Sequence, residues 1–202
     1  LGWKIYKKGG DKTKIDLAQE LISYCLFNLN IKPHAFLFDS FYASEKLLKH
    51  LIDSGQNFVS QIHKNRKLEN QEVRALEQGR PYWTKTGSLT GNILVQAVKN
   101  RRKYFITNIP DITREKQLKI YKIRWNIEEV FRFTKKELGM EQCQSISLQG
   151  QNNHFGVCFL LYGLLQDIAE KTQMTVYQIK LEATLPEVLS KEPYFMDYFT
   201  PA

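Results

Sequence analysis

Tyr121-Lys122-Ile123-Arg124-Trp125-Asn126-Ile127-Glu128-Glu129-Val130-Phe131-Arg132-Phe133-Thr134-Lys135 is the stretch on which the reading of this chain turns. Its apolar residues recur at helical spacing, and Gly139 stands where such a helix would stop. At about 100° per residue, with Tyr121 at zero, Arg124 falls near ~300°, Glu128 near ~340° and Lys135 near ~320°. Ile120, Ile123, Ile127, Val130, Phe131 and Leu138 fill the neighbouring arc, from about 180° to about 280°. One long helix, expected from Thr113 to about Leu138, would thus bury one edge and show Tyr, Arg, Glu and Lys along the next. That row would be roughly 21 Å long, enough to track several phosphates at their ~3.4 Å spacing along a nucleic-acid strand. Glu129 falls near ~80°, which makes Glu128 the better ligand candidate. A solvated amphipathic helix of mixed charge has the same wheel, so periodicity alone leaves both readings open.

Upstream of this helix, residues 57–108 alternate in short runs broken by Gly, Asn and charged residues, the texture of antiparallel β structure. Before them stands Ala35-Phe36-Leu37-Phe38, a continuous apolar run of the buried-strand kind, with Asp39 at its C-terminal end. A helix is expected from about Ser44, and an earlier one from an Asp16 cap through Leu17, Leu21, Ile22, Cys25, Leu26 and Leu29, closed by Pro33. Residues 2–6 read as a strand followed by a Gly9-Gly10 turn. The chain opens inside that strand without a Met, and so reads as a fragment. Downstream, another helix is expected from about Asn152 to Lys171. The order strand, helix, strand ending in a carboxylate, helix, β insertion, helix indicates an α/β fold with polar site residues at strand C-termini.

The composition of the 202 residues is that of a globular protein, but 29 Lys and Arg against 21 Asp and Glu give a net charge of +8. An excess of that size favours a polyanionic partner. Cys25, Cys143 and Cys158 are odd in number and far apart, which argues against a disulfide framework or a zinc knuckle. His34, His50, His63 and His154 show no metal-ligand spacing. The longest apolar run, residues 155–165, is too short to span a bilayer, so no membrane role is expected.

The spacing Tyr121-x2-Arg124-x3-Glu128-x6-Lys135 resembles the YREK signature of the insertion-sequence-four group of DDE transposases. Phe38-Asp39-Ser40-Phe41-Tyr42-Ala43-Ser44 resembles the segment around that group's second catalytic Asp, and Asn65-Arg66-Lys67 resembles a stretch common just after it. The resemblance runs from about Gly2 to at least Leu165. It implies a ribonuclease H-like α/β core with a β-strand insertion between the second Asp and the Glu-bearing helix. On that reading, 1–56 is a partial core, 57–110 the insertion, 111–172 the C-terminal core helices and 173–202 a tail.

The resemblance also implies the chemistry. Three carboxylates in this group hold two divalent cations, and hard oxygen donors suit Mg²⁺ or Mn²⁺. Asp39 matches the second carboxylate and Glu128 the third; Tyr121 and Arg124 would hold DNA phosphate near the transposon end, and Lys135 the backbone nearby. The first Asp belongs on a strand this chain lacks; Asp11, in a Gly-rich turn, and Asp16, at a helix start, are poor substitutes. Arg132, Arg66, Arg101 and Arg102 are further DNA-binding candidates, from the Glu128 helix and from two basic runs that also suit solvated loop tips. Trp83 either stacks on a base flipped from the transposon end or packs within a hairpin. The expected partner is double-stranded DNA, both transposon ends and target, with a homodimer in the synaptic complex and a prokaryotic, cytoplasmic setting. A fragment of this kind is expected to be inactive alone. The alternatives are a non-catalytic DNA-binding remnant or regulator of an intact transposase, and a ribonuclease H-like nuclease.

Overall fold

Thr13, not Asp16, caps the first helix. The Thr13 hydroxyl accepts from the Asp16 amide while the Asp16 carboxylate accepts from the Thr13 amide, a reciprocal box that opens α1 (Lys14–Ser23). The expected cap is corrected by three residues, because an acid at the third helical position serves the helix start as well as one at the cap. A π-helical turn, Tyr24–Asn28, follows. The computed structural model describes residues 2–77 and 79–183, and these fall into two units, Gly2–Asn126 and the described residues from Ile127 onward.

In the first unit, β1 (Phe36–Phe38) leads through α2 (Glu45–Asp53) to β2 (Phe58–Ile62), which lies parallel to it. Ser44 caps α2 through its hydroxyl, as its sequence position suggests. Then come β3 (Lys67–Leu68), β4 (Gln71–Glu72), β5 (Tyr82–Leu89), β6 (Ile93–Asn100) and β7 (Lys103–Thr107). All seven strands form one sheet in the order β1-β2-β7-β6-β5-β3-β4, antiparallel from β2 onward. The expected insertion is therefore continuous with the sheet that carries Asp39: Val59 pairs with Leu37 on one side and Thr107 on the other. Leu47, Leu48 and Leu51 of α2 are fully buried against Phe58, Ile62 and Ile106 in one core. Each such side chain stabilises the fold by about 1.5–3 kcal/mol.

Two expectations fail here. Residues 2–6 form no strand, since no described segment offers them a ladder partner and an unpaired strand leaves its amides and carbonyls unsatisfied. The single helix from 113 to 138 is two: α3 (Arg114–Lys122) and α4 (Trp125–Lys136). Between them, hydrogen bonds from Ile123 to Ile120, Arg124 to Tyr121 and Asn126 to Ile123 close three-residue rather than four-residue turns. Neither Pro nor Gly marks the break; tertiary packing makes it. Gln117 and Tyr121 hold α3 to the sheet, through Gln96 and Phe105, while α4 buries Phe133 in a different core.

That second core belongs to the unit beginning at Ile127. Phe133 of α4, 1% exposed, meets Tyr162 of α5 (Leu148–Thr172) and Tyr177 of α6 (Val176–Ala183), with ring centroids 5.7 and 4.9 Å away. Leu165, Ala169 and Ile179 complete the cluster. Val130, Phe133 and Thr134 form the buried face of α4, whereas Ile127 and Phe131, expected inside, are exposed. Gly139 takes the left-handed conformation (φ 66°) beyond α4, as expected of a helix stop. No helix among the described residues is long and apolar enough to cross a membrane.

Candidate functional site

β1 is three residues long, and its end is pinned rather than frayed. Ser60, wholly buried in the middle of β2, brings its hydroxyl to 3.2 Å from the Phe38 carbonyl and 3.3 Å from that of Asp39. Asp39 then turns the chain: its Oδ1 accepts from the Phe41 amide (2.9 Å) and its carbonyl from the Tyr42 amide (3.2 Å). Its side chain remains exposed at the C-terminal end of a parallel strand. Burial, and then the neighbouring Asp39 carboxylate, push the Tyr42 phenol above its ordinary range. Tyr42 lies in the quoted segment around Asp39, whereas a lone hydroxyl in the apolar run Phe58-Val59-Ser60 is the only sequence hint of Ser60.

Tyr121 and Arg124 stay together in the same unit. The Tyr121 ring meets Phe105 of β7 edge-on, centroids 4.8 Å apart, and the Arg124 guanidinium lies 5.6 Å from the Tyr121 centroid. Sheet, aromatic ring and guanidinium form a ladder that fixes a cation beside a phenol. Because the helix breaks at 123–124, these two residues do not continue the α4 edge, and the expected four-residue row on one helix is corrected. What survives is its second half. Glu128 and Lys135, seven apart within α4, fall on one face about 10 Å apart along the axis. Glu128 is half-buried, Arg132 pairs with Glu129 (2.9 Å), and Lys135 pairs with Glu141 (2.7 Å). Such exposed pairs are worth only ~0–1 kcal/mol each.

The remaining candidates separate by burial. Arg101 and Arg102 form the two-residue tip between β6 and β7, exposed, with Arg101 in the left-handed region (φ 55°) and its Nε donating to the Tyr82 hydroxyl (3.5 Å). Trp83 is core: it is 6% exposed and its ring packs against Tyr104 at 6.1 Å. Base stacking by Trp83 is corrected accordingly, since a buried ring offers no face to a nucleotide; the exposed neighbour is Tyr82, covered in part by Arg114 at 5.0 Å. Arg66 is half-buried, unlike the exposed Lys64 and Lys67 beside it. The oxygens of Asp16 are taken by Thr13 and Lys46.

For a divalent cation, Asp39 supplies an exposed hard oxygen donor at a strand end, which suits Mg²⁺ or Mn²⁺. Among the described residues no three His, Cys, Asp or Glu side chains gather as a ligand set. No curated protein matches the chain. A family profile does: the one described as transposase DDE domain covers residues 6–164, more than half of the sequence and both Asp39 and Glu128. Enzymes of this family carry out DNA transposition and generally use divalent metals. A carboxylate pinned at a strand end in a mixed α/β unit agrees with that match, and the chain belongs to the transposase DDE domain family.

Proposed function

We propose that this chain is the catalytic-domain portion of an insertion-sequence transposase of the insertion-sequence-four group, acting on the ends of its own element. The observation that carries the reading is Asp39, exposed yet backbone-anchored at the end of β1, in a family member that also keeps Tyr121, Arg124, Glu128 and Lys135 at YREK spacing. Asp39 and Glu128 would be two of the metal-binding carboxylates. Mg²⁺ or Mn²⁺, when bound, polarises the attacking oxygen and stabilises the leaving one during in-line displacement at phosphorus. Asp39 presents its carboxylate without further ordering, since its backbone and one oxygen are already tied down. Arg124, set against the Tyr121 ring, offers a fork to a phosphate near the scissile position, and Lys135 offers a point charge. Arg132, Arg101 and Arg102 extend the basic surface along the duplex, which includes the target as well as the transposon end.

These residues act on DNA within a synaptic homodimer. The test is DNA binding by the purified 202-residue chain to a fragment carrying the element's end. Affinity should fall steeply with salt, and Arg124→Ala should weaken binding by about tenfold. Absence of any salt-sensitive binding would overturn the transposase reading.

A further inference from the structure

α3 is held to the sheet by an amide pair and one ring edge, not by an apolar stripe. Of its nine residues only Gln117 is buried, and it is fully so. Leu118 and Ile120 are half-buried. Apolar burial is non-directional, so it says little about how such a helix is turned on its axis. The side-chain amide of Gln96, on β6, supplies the direction. Its Nε2 donates to the Ile112 carbonyl (2.9 Å), just ahead of the helix, and to Gln117 Oε1 (3.0 Å), one turn in. Two such contacts fix both the rotation and the axial position of α3.

The same sheet face carries the next contact. Gln96 pairs across the ladder with Thr107, and Phe105 lies two residues away along β7, so Gln96 and Phe105 project to one side. Tyr121, four residues beyond Gln117, meets the Phe105 ring edge-on at 4.8 Å, and the Arg124 guanidinium stands 5.6 Å from the Tyr121 centroid. Side chains reach about 5–6 Å from a helix axis, so a ~20° turn of α3 would carry the Tyr121 ring about 2 Å off that contact. One end of Gln117 is unsatisfied: its Nε2 is buried and has no hydrogen-bond partner among the described residues. A buried donor without an acceptor is unfavourable, and an apolar side chain of similar length carries none. For stability alone Met would serve as well. What Met lacks is an acceptor aimed at Gln96.

We propose that Gln117 is a positioning residue for Arg124. Its Oε1, held by Gln96, sets the rotation of α3, and that rotation sets the Tyr121 ring beside which the guanidinium lies. Gln96 is half-buried and keeps the Ile112 carbonyl, so losing the Gln117 amide seals no new donor in the core. That Arg124 then meets a DNA phosphate rests on the transposase reading; the amide clamp does not.

The experiment compares the whole chain with Gln117→Met, alone and combined with Arg124→Ala, on a short duplex carrying the element's end. The readouts are melting temperature, DNA affinity, and the Arg124 Nε–H and Tyr121 ring resonances of the DNA-free protein. Gln117→Met should leave the melting temperature unchanged or slightly higher, move both resonances, and weaken DNA binding about threefold to tenfold. In the Arg124→Ala background the same change should cost less than about twofold, because the group it positions is gone. A purely structural Gln117 predicts a lower melting temperature and a binding loss that adds to that of Arg124→Ala. That pattern, or unmoved resonances, overturns the proposal. If Gln117→Met does not fold, Gln96→Met removes the donor from the half-buried side and the same cycle decides. Arg124→Ala binding DNA as well as the parent would sink the phosphate role that the transposase reading gives Arg124. The resonances alone would then decide whether Gln117 holds Tyr121 and Arg124 in place.

Discussion

The unit Gly2–Asn126 and the unit from Ile127 onward hold their candidate residues by different means. Asp39 is fixed by a strand pairing, a buried serine hydroxyl and a turn, on a sheet whose core runs from Ile22 through Leu48 to Ile106. Glu128 lies on α4, and α4 is anchored by the packing of Phe133 among Tyr162, Tyr177, Leu165 and Ile179. A small core centred on one ring is sensitive to truncation of that ring.

The sharpest way to break the contrast is Phe133→Ala. It should cost about 3–5 kcal/mol and remove amide-exchange protection across α4–α6, while β5, β6 and β7 keep theirs. Equal loss in both units would mean that they share one cooperative core. The reciprocal change, Leu48→Ala beneath β1 and β2, should cost roughly 2–4 kcal/mol, seen as lost protection in the sheet with α5 spared. Thr13→Ala removes one half of the capping box and should cost about 1 kcal/mol, read as a lower denaturant midpoint.

An acid titration probes the same corner. The Lys46 ammonium, and then the Thr13 hydroxyl and amide, hold the Asp16 carboxyl far below its ordinary 3.8. A carboxyl depressed in the folded state stabilises it fully above the unfolded pKa and loses that contribution as pH falls below it. The tie between α1 and α2 should therefore weaken below about pH 4, and Lys46→Met should make α1 amide shifts move at higher pH. The smallest expected effect is Glu141→Gln. Releasing Lys135 from an exposed pair should tighten DNA binding by no more than about threefold, and a larger gain would mean that this contact restrains binding.

How much of this was legible beforehand varies element by element. Ala35-Phe36-Leu37-Phe38 read as a strand ending in Asp39, though it is half-buried rather than buried, Ser44 as a helix start and Gly139 as a stop, because each rests on a preference acting within a few residues. The break at Ile123 and Arg124 was not legible. The wheel through 121–135 is regular, and only the competing anchors, Phe105 for α3 and the Phe133 core for α4, interrupt it. For Trp83 the sequence left stacking and packing both open, and the fold decides for packing, since hairpin composition does not say which face a ring takes; Arg66 is half-buried beside a cleft.

Local order was thus written in the chain: strand and helix starts, the Gly stop, the basic surplus and the spacing of Tyr121, Arg124, Glu128 and Lys135, which the family match places in a transposase domain. Folding decided what periodicity cannot encode. It determined which neighbour each strand found, where a regular helix had to break to serve two cores, and which side chains lost their water. Those outcomes depend on contacts between residues far apart in sequence, and side-chain order along one segment carries no record of them.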